Sequence, residues 1–337
     1  MKCYYEYSME ETKEIRSRNK IFIFIGAVCL CALPNFGAGC LRTAELTQEQ
    51  EFFNSPPVND ALDADLQFIP DSGVRIEDAS NPGVHLNADG SIALLFEDRS
   101  GQSHDQRIAT SEDGLIFLRE QSIRDDGTFR AHKLPDGTYR VYTWDEQQES
   151  LMSMSSTNGV DFTSDAGARY TLQSFDNHRM GIYDIYNDAN GNVVLLYIGD
   201  MMGLNSVRRA FSTDNGMTFQ FDRGNIFGDE TFGGGGQSYV DQKSIVLPDG
   251  RVRALVMRQG VIYSFMSDKD QQFIQEPGVR LQAEDFTDIS AISLHDPQPI
   301  RLLDGRYRIY VTAIIGEGEI GAPHPNDRQV IVSATTH

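Results

Sequence analysis

A short phrase recurs along this chain, an Asp-Gly or Asn-Gly pair set between two apolar runs: Ala88-Asp-Gly90, Pro135-Asp-Gly137, Ala189-Asn-Gly191, Pro248-Asp-Gly250 and Leu303-Asp-Gly305. A two-residue hairpin turn needs positive φ, which Gly adopts freely and Asn or Asp tolerates, so such pairs mark hairpins strongly. The fullest copy is His295 to Val311: Asp296 enters the first strand, Asp304-Gly305 makes the turn, and Arg306 to Val311 alternates polar with apolar residues as a half-buried returning strand should. Five hairpins are predicted.

A second element follows each of the first four hairpins: Ser111-Glu-Asp-Gly114 to Phe117, Ser155-Ser-Thr-Asn-Gly159 to Phe162, Ser212-Thr-Asp-Asn-Gly216 to Phe219, and Ser267 to Phe273. The third has the full Ser-x-Asp-x-Gly-x-Thr-Phe form of an Asp-box, a turn former with a buried aromatic anchor. Two hairpins make four strands, and the turn glycines recur every 47 to 59 residues, a period that suits one propeller blade. The fold class expected is all-β, a five-bladed β-propeller over residues 66–337.

After the fifth hairpin only Val330 to Ser333 reads as a further strand, one short of a blade. Phe68-Ile-Pro-Asp-Ser-Gly-Val-Arg-Ile76 closely matches Phe273-Ile-Gln-Glu-Pro-Gly-Val-Arg-Leu281, which reads as the outer strand of the fourth repeat. An N-terminal strand is therefore expected to close the ring and remove the exposed edges.

Residues 1–40 read differently. Lys13, Arg16, Arg18 and Lys20 precede the apolar run Ile21 to Leu33, and Gly37-Ala-Gly precedes Cys40. A basic segment, a short apolar segment and small residues describe an export signal. Small residues before Cys40 resemble the lipobox of bacterial lipoproteins, so lipidation of Cys40 is expected, with a polar tether over 41–65. The expected location is the bacterial cell envelope or outside the cell, with the membrane reached only through that lipid. All four cysteines (Cys3, Cys29, Cys31, Cys40) lie in this leader, which leaves the ring no disulfide and no thiol chemistry.

The leader holds five basic and four acidic side chains, so the remainder holds 24 and 45, a net charge of −21. Such a surface repels nucleic acid and anionic membrane. No nucleic-acid partner and no cofactor are expected, and the expected state is a monomer.

In a propeller the inner strand of each blade starts on one face and the second strand returns there. Nine residues before each turn glycine stand Asn81, Thr128, Ile182, Asp241 and Asp296, and Asp184 lies two beyond Ile182 on the same side of its strand. The returning strands end near Glu97-Asp-Arg99, Trp144-Asp145, Asp200, Arg258 and Glu317-Gly-Glu319. Loops add Arg130, His132, Asp176, His178 and His295. An acidic funnel with arginines and histidines is thus expected at one mouth of the channel. The same carboxylates could instead cap strand-entrance amides or hold a structural calcium ion.

His295-Asp-Pro-Gln-Pro with Leu303-Asp-Gly-Arg-Tyr-Arg-Ile-Tyr, Met180-Gly-Ile-Tyr-Asp184 and the Ser-x-Asp-x-Gly turns resembles the five-bladed propeller glycoside hydrolases of the arabinanase, levansucrase and invertase type. The resemblance implies a carbohydrate substrate and two carboxylates across the channel mouth, one acid and one base or nucleophile. It implies Asp296 as base, Asp241 as its partner or as the Asp that tunes the acid, Asp184 as a third member, and Glu97, or else Glu317, as acid. Substrate contacts would come from His295, Arg130, His132, His178, Trp144, Arg99 and Arg258. That family usually places its base in the first blade, where this chain has Asn81-Pro82. A binding ring without catalysis is the alternative. A sialidase is the second alternative, for which Phe129-Arg-Ala-His132 has the start of the Arg-Ile-Pro motif without its Ile-Pro.

Overall fold

The computed structural model describes residues 66–337, apart from 88, 102–104, 125–130, 160, 177–179, 181–182, 199–206, 225, 228–238, 268–271, 320–323 and 325. The expected leader and tether, with Cys40, lie outside the described residues, as do Arg130, His178 and Asp200.

Strand β1 (Phe68–Pro70) precedes the first blade, which is β2 (Ala79–Leu86), β3 (Ile92–Asp98), β4 (Gln106–Ser111) and β5 (Arg119–Arg124). The second is β6 (Ala131–Lys133), β7 (Tyr139–Asp145) and β8 (Ser150–Ser156), with β9 (Thr163–Ser164) and β10 (Tyr170–Thr171) both paired to β8. The third is β11 (Tyr183–Asn187), β12 (Val193–Ile198), β13 (Val207–Ser212) and β14 (Gln220–Arg223). The fourth is β15 (Val240–Val246), β16 (Val252–Arg258), β17 (Val261–Ser267) and β18 (Phe273–Gln275). The fifth is β19 (Ala291–Arg301), β20 (Tyr307–Ile315) and β21 (Arg328–Thr336), and β1 completes it as outermost strand, antiparallel to β21 with Phe68 opposite Thr336. The five sheets form the ring of a five-bladed propeller closed by its N-terminal strand.

Each predicted hairpin turn is present, with Gly90, Gly137, Gly191, Gly250 and Gly305 at φ between 79° and 91°. The returning strands depart from expectation. Strand β3 is buried at every position, and β20 is buried from Tyr307 to Ala313, not half-buried. The reason is that both faces of a middle strand meet a neighbouring blade. Leu94 and Phe96 of β3 pack toward Tyr310 and Ile331 of blade five, while Ala93 and Leu95 pack toward Val141 and Met154 of blade two. One such apolar cluster lies at each of the five blade interfaces.

A polar residue on such a strand must bring its own partners. Arg308 of β20, 5 % exposed, donates from Nε to Thr335 Oγ1 at 2.8 Å, lies 3.3 Å from Asp71 Oδ2, and donates from Nη1 to the Asp113 carbonyl at 2.6 Å. Tyr310 donates to the Gly114 carbonyl at 2.7 Å. Blade two repeats the arrangement: Arg140 bonds Asp165 and the Asn215 carbonyl, and Tyr142 bonds the Gly216 carbonyl at 3.1 Å. An Arg-x-Tyr on one blade thus latches the serine turn of the next, Ser111 to Gly114 in one case and Ser212 to Gly216 in the other. The acidic partner belongs to the outer-strand phrase seen twice in the sequence, and Phe162 to Tyr170 supplies a third copy, with Asp165 on Arg140 and Arg169 on the Ala166 and Gly167 carbonyls.

The latch predicts that Tyr310→Phe, which leaves the buried Gly114 carbonyl without its donor, lowers unfolding free energy by about 1–3 kcal/mol. Urea denaturation of this variant beside the parent protein measures it.

Candidate active site

Three inner strands carry the same local irregularity. The β2–β3, β15–β16 and β19–β20 ladders each slip in register, between Ser80 and Gly83, Val240 and Lys243, and His295 and Gln298. Inside each slip stands a non-glycine residue in the left-handed region: Asn81 at φ 52°, Asp241 at 57° and Asp296 at 49°. These are β-bulges, which leave a residue unpaired and re-aim its side chain. Pro82 and Pro297 suit the position, since proline has no N–H to withhold from the ladder. Left-handed Asn or Asp is tolerated but still costs of order 1 kcal/mol per residue.

The three bulge residues surround one cavity of about 140 Å³, completed by Ser80, Arg99, His295, Thr312, Ile314 and Gln329. Thr312 bridges blades: its Oγ1 accepts the Asn81 backbone N–H at 3.0 Å and donates to Asp296 Oδ2 at 3.0 Å. Asn81 Nδ2 donates to Glu97 Oε2 at 2.7 Å, and the same oxygen accepts Arg99 Nη2 at 3.1 Å. Arg99 Nε donates to Ser80 Oγ at 2.8 Å. Glu97 is 6 % exposed, and its Oε2 is committed to accepting hydrogen bonds from a neighbour and a cation.

His295 stands beside Asp296 with its Nε2 2.9 Å from Ser293 Oγ. Burial holds its pKa below the ordinary imidazole value although the Asp296 charge opposes the shift, so the ring is neutral at neutral pH. A neutral imidazole offers one donor and one acceptor at the cavity wall.

Asp184 lies deeper. It lines a second cavity, about 270 Å³, walled by the inner strands of all five blades, together with His85, His132, Lys243, Tyr186 and Gln298. Its Oδ1 is 3.4 Å from Lys243 Nζ, and both residues are buried. His132 sits in the same wall and donates from Nε2 to Asn187 Oδ1 at 2.8 Å; burial depresses its pKa against the pull of Asn187 and Asp184. His85, 5 % exposed, is pushed down to about 4 by burial.

The structure therefore gathers Asp241, Asp296, His295 and Arg99 at one mouth cavity with Glu97 behind it, and puts Asp184 and His132 below. Trp144 is half-buried against the apolar cluster between blades two and three and lines a separate recess with Thr143, Met152 and Asp165. Arg258 stacks over the Tyr239 ring, 5.2 Å from its centroid, and does not line the mouth cavity. Glu317 is exposed, its backbone N–H bonded to Asp327 at 3.2 Å. Ser80, Thr312 and Gln329 join the cavity without having been picked out from the sequence. The signal for Thr312 was there, a lone threonine inside the apolar run Ile309 to Ile315.

Solved structures similar to this fold include an endo-arabinase from Bacteroides thetaiotaomicron, with a TM-score of 0.57 at 16% identity over 80% of this chain and 96% of that one. An endo-1,4-beta-xylanase from the same organism gives 0.57 at 11% identity over 77% and 92%. A thermostable family-43 glycoside hydrolase gives 0.56 at 11% identity over 78% and 91%. No protein-family model matches the sequence, and no curated protein matches it. At these identities the likeness is one of fold.

The bulges make a prediction of their own. Asp241→Gly and Asp241→Val both remove the carboxylate, but only Gly accepts φ 57° without strain, so the Val variant should be less stable than the Gly variant by about 1–2 kcal/mol. Equal melting profiles would show that the backbone relaxes freely there.

Proposed function

We propose that this protein is a glycoside hydrolase working at the mouth of its channel, with Asp296 activating the attacking water and Asp241 protonating the leaving oxygen. The observation that carries this reading is the set of strained bulges, three alike, that turn Asn81, Asp241 and Asp296 toward one cavity. Strained residues of this kind cluster at active sites and ligand clamps. Solved five-bladed propellers of similar fold that cleave arabinan and xylan support the choice of a carbohydrate.

In the reaction, water attacks the anomeric carbon while Asp296 takes its proton; the glycosidic C–O bond breaks and its oxygen takes the proton held by Asp241. Asp241 is 8 % exposed and lines the same cavity as Asp296. Glu97, expected from the sequence as the acid, instead holds Asn81 and Arg99 in place. Neutral His295 supplies a hydrogen bond to a substrate hydroxyl. On the same reading residues 1–40 export the chain and Cys40 carries a lipid, so the substrate is a glycan outside the cell.

One observation favours a second reading, a glycan-binding ring without turnover: the only glutamate close to the cavity among the described lining residues and their partners is spent on a hydrogen-bond network.

A panel of aryl glycosides and polysaccharides decides between them. Asp296→Asn and Asp241→Asn should each lower kcat on glycans by about 10²–10⁴-fold, while Asp241→Asn should stay within about tenfold of the parent on dinitrophenyl glycosides, whose leaving group needs no acid. An inert parent protein whose melting temperature rises with a glycan would establish the binding ring instead.

A further inference from the structure

We infer that Thr312 is a positioning residue for this chemistry, one that orients the Asp296 carboxylate for its part as the base and ties the bulge of blade one to that of blade five. The inference rests on the hydrolase reading above and goes beyond it by assigning the proton. A hydroxyl has one proton to give. The Asn81 backbone N–H can only donate, so at 3.0 Å it takes a lone pair of Thr312 Oγ1. The single hydroxyl proton then points to Asp296 Oδ2, also at 3.0 Å. In this arrangement Oδ2 is the acceptor, so a proton that the carboxyl takes up goes to Oδ1.

The donor end of this relay is itself fixed. Asn81 is anchored through Nδ2 to Glu97, Glu97 to Arg99, and Arg99 to Ser80. Thr312 is 2 % exposed and stands between Val311 and Ala313, which are fully buried. The chain of bonds therefore runs from a cation in blade one to a carboxylate in blade five. Asn81 occupies the place of an expected first-blade base, and its role here is to set the direction of the Thr312 hydroxyl, which hands the base function to Asp296 one blade away.

The test uses Thr312→Val, which keeps the shape and removes the hydroxyl, and Thr312→Ser, which keeps the hydroxyl. Thermal denaturation first establishes that both are folded. Thr312→Val should lower kcat roughly 10- to 100-fold, the loss of one hydrogen bond to a charged group, with KM within about threefold, and Thr312→Ser should recover to within about threefold of the parent. In parallel, the carboxyl carbon resonance of Asp296 in ¹³C-aspartate-labelled protein at neutral pH should move in Thr312→Val and return in Thr312→Ser. A resonance that does not move overturns the inference whatever the activity does. A resonance that moves in an active enzyme with unchanged kcat, or a loss confined to KM, also overturns it. A resonance that moves while the parent protein hydrolyses nothing keeps the positioning role and removes the hydrolase reading.

Discussion

Adjacent blades of this protein belong to separate sheets, so the ring coheres through side chains packed between the middle strands. That constraint shapes the sequence of β3, β12, β16 and β20, which are apolar on both faces because each face belongs to a different interface. It also explains the buried arginines. Arg253, 1 % exposed, is tolerated because Glu276 meets it with two hydrogen bonds of 2.8 Å, and Arg140 and Arg308 meet both an outer-strand acid and a carbonyl of the next blade. Charge in these positions fixes which turn docks on which strand, while apolar area supplies the cohesion.

The inner strands face the opposite situation. Their outer side is paired to a rigid partner and their inner side borders the channel, where no further strand must match them. A ladder with one free side can carry a bulge at little cost to packing. Blades one, four and five use that freedom at the same position, and so Asn81, Asp241 and Asp296 leave the regular alternation together. The rigid part of each blade holds the backbone on either side of the bulge, which is why the left-handed residues keep their conformation.

Much of the architecture was legible in the sequence because it rests on local chemistry. The turn glycines and the match between Phe68 to Ile76 and Phe273 to Leu281 depend on short-range backbone preferences, and the structure has both where they were expected; of the aromatic residues after the serine turns, Phe219 and Phe273 are buried as expected, whereas Phe117 and Phe162 are only half-buried. The site was legible only as far as strand entrances. Counting by two from Ile182 placed Asp184 at the mouth, but in the register of β11 it pairs with Leu196, the level at which Lys243 pairs with Leu255, one step inside the bulge residues. A period-two count cannot foresee an inserted residue in the neighbouring blades. Pro82 and Pro297 were the available hint, since proline inside a strand pattern implies an edge or a bulge. The partners of Glu97 were not legible at all. They come from the return of one strand beside another, and the sequence gives Glu97 the appearance of an available acid. Trp144 shows the same limit, for its place at a strand end says nothing of which neighbouring blade its ring covers.

The pairing of β1 with β21 has a consequence for how such a chain is made. Asp71 accepts hydrogen bonds from Thr335, 264 positions away, so β1, made first, has no partner strand until almost the whole ring has been synthesised. During that interval the first strand must be kept from pairing elsewhere, and the apolar faces of blades one and five stay uncovered. Contacts of such long sequence separation form slowly. Closure is therefore a late step that couples the two ends of the ring, and a chain cut short before β21 would display the very edge that the closed ring conceals.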